Sequence, residues 1–369
     1  MATPNNQFRL KLKPSTQYNF TVFWGDGTSE IFNSTTSPLV SGAGLTHTYP
    51  TSSQVYDIKI YQNGDFGFPS LNFNNTDTET TNDSDKVMEI VQWGNAKMLN
   101  LGDAFNNCTR LSGIAVDSPT KVLNSATIFS NAFRNCFSLR VFPNISTLSA
   151  TTFLNTWASC SSLSSFELTT GPNVIDVRGA WADCISLSSF PQINVSNAQL
   201  FTNTWFNCTA LNVFPTLNMG SAVTVYSTWQ NCKSLTWFPP INFPSATVLF
   251  GAWRGCSSLT AFPLINTSNC TDFSRTWMDC TGLNGSNFPT LNMRNMKYTN
   301  SVYQGGALCF SGVTLSTTSY SNLLIDLAAN NLNTNVVFSG GGSKYNPSGA
   351  TARATLGSRG WSITDGGPE

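Results

Sequence analysis

Residues 201–210 read F-T-N-T-W-F-N-C-T-A, residues 225–234 read V-Y-S-T-W-Q-N-C-K-S, and residues 153–162 read F-L-N-T-W-A-S-C-S-S. Each places a tryptophan three residues before a cysteine, and the spacing runs well beyond these segments. Cys136, Cys160, Cys184, Cys208, Cys232, Cys256 and Cys280 follow one another at steps of 24, and Cys108 precedes the first by 28. A fixed period of this size marks stacked units, none of which can bury its apolar face alone.

Other positions fall into columns in the same frame. Three before each cysteine stands a large aromatic: Phe105, Phe133, Trp157, Trp181, Trp205, Trp229, Trp253 and Trp277. Three after it stands leucine, from Leu111 to Leu283, and six after it usually Phe-Pro, as at Phe190-Pro191 and Phe214-Pro215. Ten after it stand Asn194, Asn218, Asn242 and Asn266. Aligned apolar columns predict one continuous core. The asparagine column predicts a turn whose amides bond backbone groups of their own and the adjacent unit. Phe-Pro predicts the end of ladder pairing, because proline lacks the N–H.

The cysteines invite a chemical reading, which their spacing argues against. Metal binding calls for close pairs such as C-x-x-C or for histidines, and the chain has one histidine, His47. Disulfides need convergent Cβ vectors, whereas side chains in one column point the same way. A buried thiol is also a small hydrophobe. The expected role is therefore structural, with no metal, cofactor or catalytic residue. Cys270 falls in a small-residue column with Ala198, Ala222 and Ala246. After Cys280 a two-residue insertion is read, which places Tyr303 in the tryptophan column, Gly306 in the cysteine column and Cys309 in the leucine column.

The pattern aromatic-x-x-Cys-x-x-Leu-x-x-Phe-Pro-x-Ile/Leu-Asn resembles the BspA-like leucine-rich repeats of bacterial surface antigens. The resemblance covers about residues 95–310 and implies an adhesive role. In the first 90 residues, Trp24–Gly27 (W-G-D-G) and His47–Tyr49 (H-T-Y) resemble motifs of the PKD-type β-sandwich. That resemblance implies a structural or binding module, in which Asp26 caps a turn and His47 sits in a strand. The tail resembles the cap that follows such repeats. The expected fold is thus mainly β. It comprises a PKD-like β-sandwich (1–90), a leucine-rich-repeat solenoid of about eight 24-residue coils (91–310) and a small α+β C-terminal cap (311–369).

Composition narrows the function. Only 10% of residues are charged and the net charge is zero, against roughly 25% charged in ordinary globular domains. With no basic stripe, nucleic acid is not an expected partner. No run approaches a membrane span, so membrane insertion is not expected either. The usual catalytic constellations are missing. Residues 77–85, D-T-E-T-T-N-D-S-D, read as a solvated linker, with calcium as the alternative. The opening M-A-T-P-N-N-Q has no export signal pattern.

The expected function is that of a non-enzymatic virion surface protein of a tailed phage, as head decoration, fibre or tail receptor-binding protein. Such a protein is assembled in the host cytoplasm and serves as a rigid display and adhesion scaffold. The alternative is a bacterial cell-surface adhesin. Expected partners are other virion structural proteins or a host surface glycan or protein, and a homo-oligomer is compatible with both readings. Trp237, a large residue at an exposed position between Leu235 and the following Phe-Pro, is the candidate ligand contact.

Overall fold

The computed structural model describes residues 6–13, 18–33, 44–52, 54–64, 70–73, 83–94, 98–116, 122–298 and 305–369. The chain divides into two compact units, Met1–Asn173 and Val174–Glu369. Tyr303, Asp77 and Glu79, which the sequence singles out, lie outside the described residues.

The first unit opens with five strands: β1 (Gln7–Lys11), β2 (Asn19–Phe23), β3 (Ser29–Asn33), β4 (Gly44–Thr48) and β5 (Lys59–Gln62). Antiparallel pairing gives a two-stranded sheet, β1-β4, and a three-stranded sheet, β3-β2-β5. Alternation in β2 buries Phe20 and Val22 while Thr21 and Phe23 face outward. The β2–β3 turn carries Gly25 and Gly27 at φ +85° and +92°. A Cβ on Gly25 would stand 2.8 Å from the Asp57 carbonyl oxygen, so both the dihedral and the contact require glycine. Further along, β6 (Glu89–Ile90) pairs parallel with β7 (Gly113–Ile114), and β8 (Val141–Thr147) with β9 (Ser165–Thr170).

In the repeats, alternate N–H groups bond alternate partners. Phe201, Asn203, Trp205 and Asn207 donate to the carbonyls of Thr224, Tyr226, Thr228 and Gln230 in the next 24-residue unit, at 2.7–3.1 Å. The residues between them bond backward within their own turns, as Thr204 does to Phe201 and Cys208 to Trp205. Elsewhere neighbouring units touch through single parallel bridges, Asp176↔Leu200, Leu200↔Thr224, Thr224↔Val248 and Val248↔Asp272, each a step of 24.

This backbone corrects the expected fold class. The described residues form five small separate sheets of two or three strands, two α-helices and three short 3-10 turns, and the rest is mostly turn and irregular chain. They do not form a PKD-like β-sandwich followed by a mainly β leucine-rich-repeat solenoid and cap. The physical reason lies in two positions per unit, five residues and one residue before each cysteine, which adopt left-handed φ. Asn203 and Asn207 stand at 57° and 58°, and Gly251 and Gly255 at 60° and 72°. A left-handed residue every four positions turns the chain before a strand can extend, and the Phe-Pro proline removes a donor after the next bridge.

In the second unit the columns become rows of contact. Trp181, Trp205, Trp229, Trp253 and Trp277 stack nearly parallel, with centroids 5.4–5.9 Å apart. Phe190, Phe214, Phe238, Phe262 and Phe288 form a second row, edge-on to the indoles. Each such aromatic pair is worth roughly 0.5–1.5 kcal/mol beyond its buried area. The row ends on Phe310, whose ring lies 5.1 Å from Trp277 and 9° from parallel.

That contact corrects the register expected after Cys280. The residue that follows Trp277 in its row is Phe310, so the insertion there is longer than two residues. Cys309 takes a small-residue place in front of Phe310, and its carbonyl accepts from the Trp277 N–H at 3.0 Å. Beyond it, β10 (Gly305–Gly306), β11 (Val337–Ser339) and β12 (Ser362–Thr364) form a parallel sheet. It is accompanied by α1 (Thr317–Asn330) and α2 (Pro347–Ser358). Side chains cap both helices: Ser316 accepts from the Ser319 N–H and Asn346 from the Gly349 N–H, and Pro347 opens α2.

Candidate functional site

The ladder cysteines are fully buried: Cys136, Cys160, Cys184, Cys208, Cys232, Cys256 and Cys280 are each 0% exposed, and none of the ten cysteines is in a disulfide. They are more specific than small hydrophobes. Cys208 Sγ donates to the Trp181 carbonyl at 3.1 Å, Cys232 to Trp205 at 3.2 Å, Cys256 to Trp229 at 3.1 Å and Cys280 to Trp253 at 3.0 Å. Cys136 and Cys160 donate likewise to Phe105 and Phe133 in the first unit. Each carbonyl thus takes the N–H of its own unit's cysteine and the S–H of the next. Burial pushes the thiols of Cys136, Cys208, Cys232, Cys256 and Cys280 up, Cys280 to about 12, so these five stay protonated at neutral pH and are poor nucleophiles and metal ligands.

The tryptophans beside them, Trp157, Trp181, Trp205, Trp229, Trp253 and Trp277, are also 0% exposed. The indole N–H groups of Trp205, Trp229, Trp253 and Trp277 find no hydrogen-bond acceptor among the described residues, so these four side chains are held by ring contacts. The asparagine column is exposed and divides its work. Asn194, Asn218 and Asn266 accept from the backbone two residues on, in their own turns, whereas Asn242 accepts from the Asn266 N–H one unit away at 2.7 Å.

A second polar row, the residues just before the cysteines, stands in the sequence as a column mostly of Asn and Asp, whose contacts sequence reasoning did not supply. Asn207 Nδ2 donates to Asp183 Oδ1 at 2.8 Å, and Asn135 Nδ2 to Asn107 Oδ1 at 2.7 Å, all four in left-handed conformation. The signal was visible in the column's composition, which is restricted to Asn, Asp, Gly and one Ser, the residues that tolerate or locally stabilise φ > 0.

Three polar clusters outside the repeats are structural clasps. Asp26 Oδ1 accepts from the Thr28 N–H and hydroxyl, and Oδ2 lies 2.7 Å from His47 Nε2, with the imidazole stacked on Trp24 at 4.8 Å. The Thr28 hydroxyl foremost, then His47, holds the Asp26 carboxyl down at about 2. Asp83 belongs to the stretch expected to be a solvated linker, yet it is 0% exposed. It accepts from the Arg9 N–H at 2.6 Å and pairs with Lys86 at 2.9 Å. Near the C-terminus, Asp365 Oδ2 accepts from the Tyr320 hydroxyl and from Arg353 Nε. Among the described residues no group of three or more His, Cys, Asp or Glu is placed to hold a metal ion, and no helix is long and apolar enough to cross a membrane.

One exposed uncharged surface lies in the second unit, between the leucine and asparagine columns. Its exposed positions read Ser188, Ser189 and Gln192, then Asn212, Val213 and Thr216, Thr236, Trp237 and Pro240, and Thr260, Ala261 and Leu264. None is charged. Trp237 is 52% exposed and bridges Ala261 in parallel, as Ser189 bridges Val213. No protein-family model matches the chain, and no curated protein or solved structure does either.

Proposed function

We propose that this chain is a non-enzymatic surface protein of a tailed-phage virion, a head decoration, fibre or tail receptor-binding protein, serving as a display and adhesion scaffold in the manner of BspA-like adhesins. The observation that carries the reading is the uncharged exposed face of the second unit, centred on Trp237. Such a face offers hydrogen bonds and one large ring without a long-range field, which suits a host surface glycan or protein, or a neighbouring virion subunit. Ten buried cysteines without a disulfide suit assembly in a reducing cytoplasm, where none is required.

Proteomics of purified virions tests the reading, and the chain is expected among the particle proteins. Absence from every particle preparation refutes it, and recovery from the shaved surface of bacterial cells selects a cell-surface adhesin instead. If the face adheres, virions carrying Trp237→Ala assemble normally and adsorb to host cells more slowly.

A further inference from the structure

In the first unit, the outer face of the β3-β2-β5 sheet holds an open depression of about 730 Å³. Thr21 and Phe23 rise from β2 on this face, and the register sets Tyr61 beside Thr21 and Lys59 beside Phe23. Asp57 and Asn63 stand at the two ends of the same alternate row, and the Gly25–Gly27 turn forms part of the rim. Phe23 is 44% exposed and Tyr61 56%, with ring centroids 5.5 Å apart and planes at 83°. Two large rings in contact on an outward strand face cost hydration and break the polar-out alternation of a solvated sheet surface.

The polar groups around the rings indicate what covers them. Asn63 Nδ2 donates to Thr21 Oγ1 at 3.0 Å, which fixes the amide in place and lowers the ordering cost of using its remaining hydrogen-bonding capacity. Asp57 and Lys59 supply one negative and one positive charge, so the lining sums to zero. An aromatic face ringed by an amide, a carboxylate, an ammonium and a hydroxyl, and neutral overall, complements a molecule with C–H groups on its faces and hydroxyls on its edge. An apolar protein partner would leave these polar groups buried and unpaired, and a charged one would meet no net field.

We propose that this depression binds a neutral oligosaccharide, one sugar ring stacking on Tyr61 with its hydroxyls on Asn63, Asp57 and Lys59. The inference rests on the adhesive reading above, to which it adds a ligand class and a second site, separate from the Trp237 face.

The test applies the full chain to a printed array of neutral hexose and N-acetylhexosamine oligosaccharides, with sialylated and sulfated glycans as charged comparators. The best-retained neutral glycan is then titrated calorimetrically against the native chain and the Tyr61→Ala, Tyr61→Phe and Trp237→Ala variants. Retention of neutral glycans over charged ones is expected. Tyr61→Ala should weaken binding about tenfold or more, Tyr61→Phe should stay within about threefold, and Trp237→Ala should leave affinity unchanged. Near-UV circular dichroism checks folding, and Phe23→Ala replaces Tyr61→Ala if that variant does not fold. The inference is overturned if no neutral glycan is retained or if Tyr61→Ala binds like the native chain. A Tyr61-dependent dimer in sedimentation without glycan binding also overturns it. Loss of binding in Trp237→Ala alone overturns it too, but leaves the adhesive reading standing; absence from virions sinks the virion reading without touching this site.

Discussion

Replacing Cys232 with alanine separates a structural thiol from a reactive one. Its Sγ is wholly buried, 3.2 Å from the Trp205 carbonyl oxygen, and that oxygen also accepts the Cys208 N–H at 3.3 Å. The substitution therefore leaves no orphaned acceptor. It removes apolar burial equivalent to about one methylene, about 0.8 kcal/mol. A partly collapsed void of about 20 Å³ adds about 0.5 kcal/mol at the cavity rate, and the weak S–H bond adds about 0.5 kcal/mol. The expected loss is about 2 kcal/mol. Cys232→Ser keeps a donor for the carbonyl and should lose about half as much, since a paired buried hydroxyl forfeits mainly the soft sulfur contacts.

Urea denaturation followed by tryptophan fluorescence reads the effect, because the indoles on either side belong to the same row. Alkylation of the native chain with iodoacetamide provides the companion measurement, and Cys232 should stay unlabelled until unfolding. The reasoning fails if Cys232→Ala unfolds at the native urea concentration while adhesion is lost, or if Cys232 is alkylated in the folded chain at the rate of an exposed thiol.

Two further predictions concern the turns. At Asn207, φ is 58° and the amide donates to Asp183, so Asn207→Ala should cost about 2 kcal/mol and Asn207→Gly about 1 kcal/mol, read from urea midpoints; a glycine variant no better than alanine would show that the dihedral is not what the residue serves. In the first unit, the Asp26 carboxyl is held at about 2, below its ordinary value of 3.8, so the ionised form favours the fold. The stabilisation is complete above the ordinary value and is lost as pH falls through about 2. Near-UV circular dichroism of Trp24, stacked on His47, should lose signal across that acid window, and Asp26→Asn should remove this dependence; an unchanged profile in the variant would exclude Asp26 as its source.

The contact register was legible in the cysteine spacing, because a core residue repeated every 24 positions has to meet its counterpart in the neighbouring unit. Trp205 and Trp229 do so at 5.5 Å, and Phe214 and Phe238 at 6.1 Å. The backbone that delivers those contacts was not legible in the same columns. Apolar spacing records which side chains face inward and is silent on whether a strand or a succession of turns carries them there. The deciding residues were the polar ones at Asn203, Asn207, Ser227 and Asn231, whose common property is φ and not hydropathy. The termination after Cys280 was misread for a related reason. Matching Tyr303 to the tryptophan row relied on residue type over a short gap, whereas an insertion longer than two residues lets Phe310 reach Trp277.

The two proposed recognition surfaces were partly hidden by the rule that exposed the core. Trp237 stood out because it breaks a column of small residues. Phe23 and Tyr61 lie in strands with no repeat to break, where an alternating pattern records only that one face is buried. What makes them candidates is the pairing of β2 with β5, which brings two outward rings from positions 38 residues apart to 5.5 Å. A repeat advertises its exceptions, whereas a site assembled across strands is visible only once their register is known. The aromatic column holds phenylalanine at Phe105, Phe133 and Phe310 as well as tryptophan, and four of its indole donors find no acceptor among the described residues. Its aromatic content is thus accounted for by stacking, whereas the exposed rings of Trp237, Phe23 and Tyr61, like those of Phe137 and Tyr298, lie outside that row.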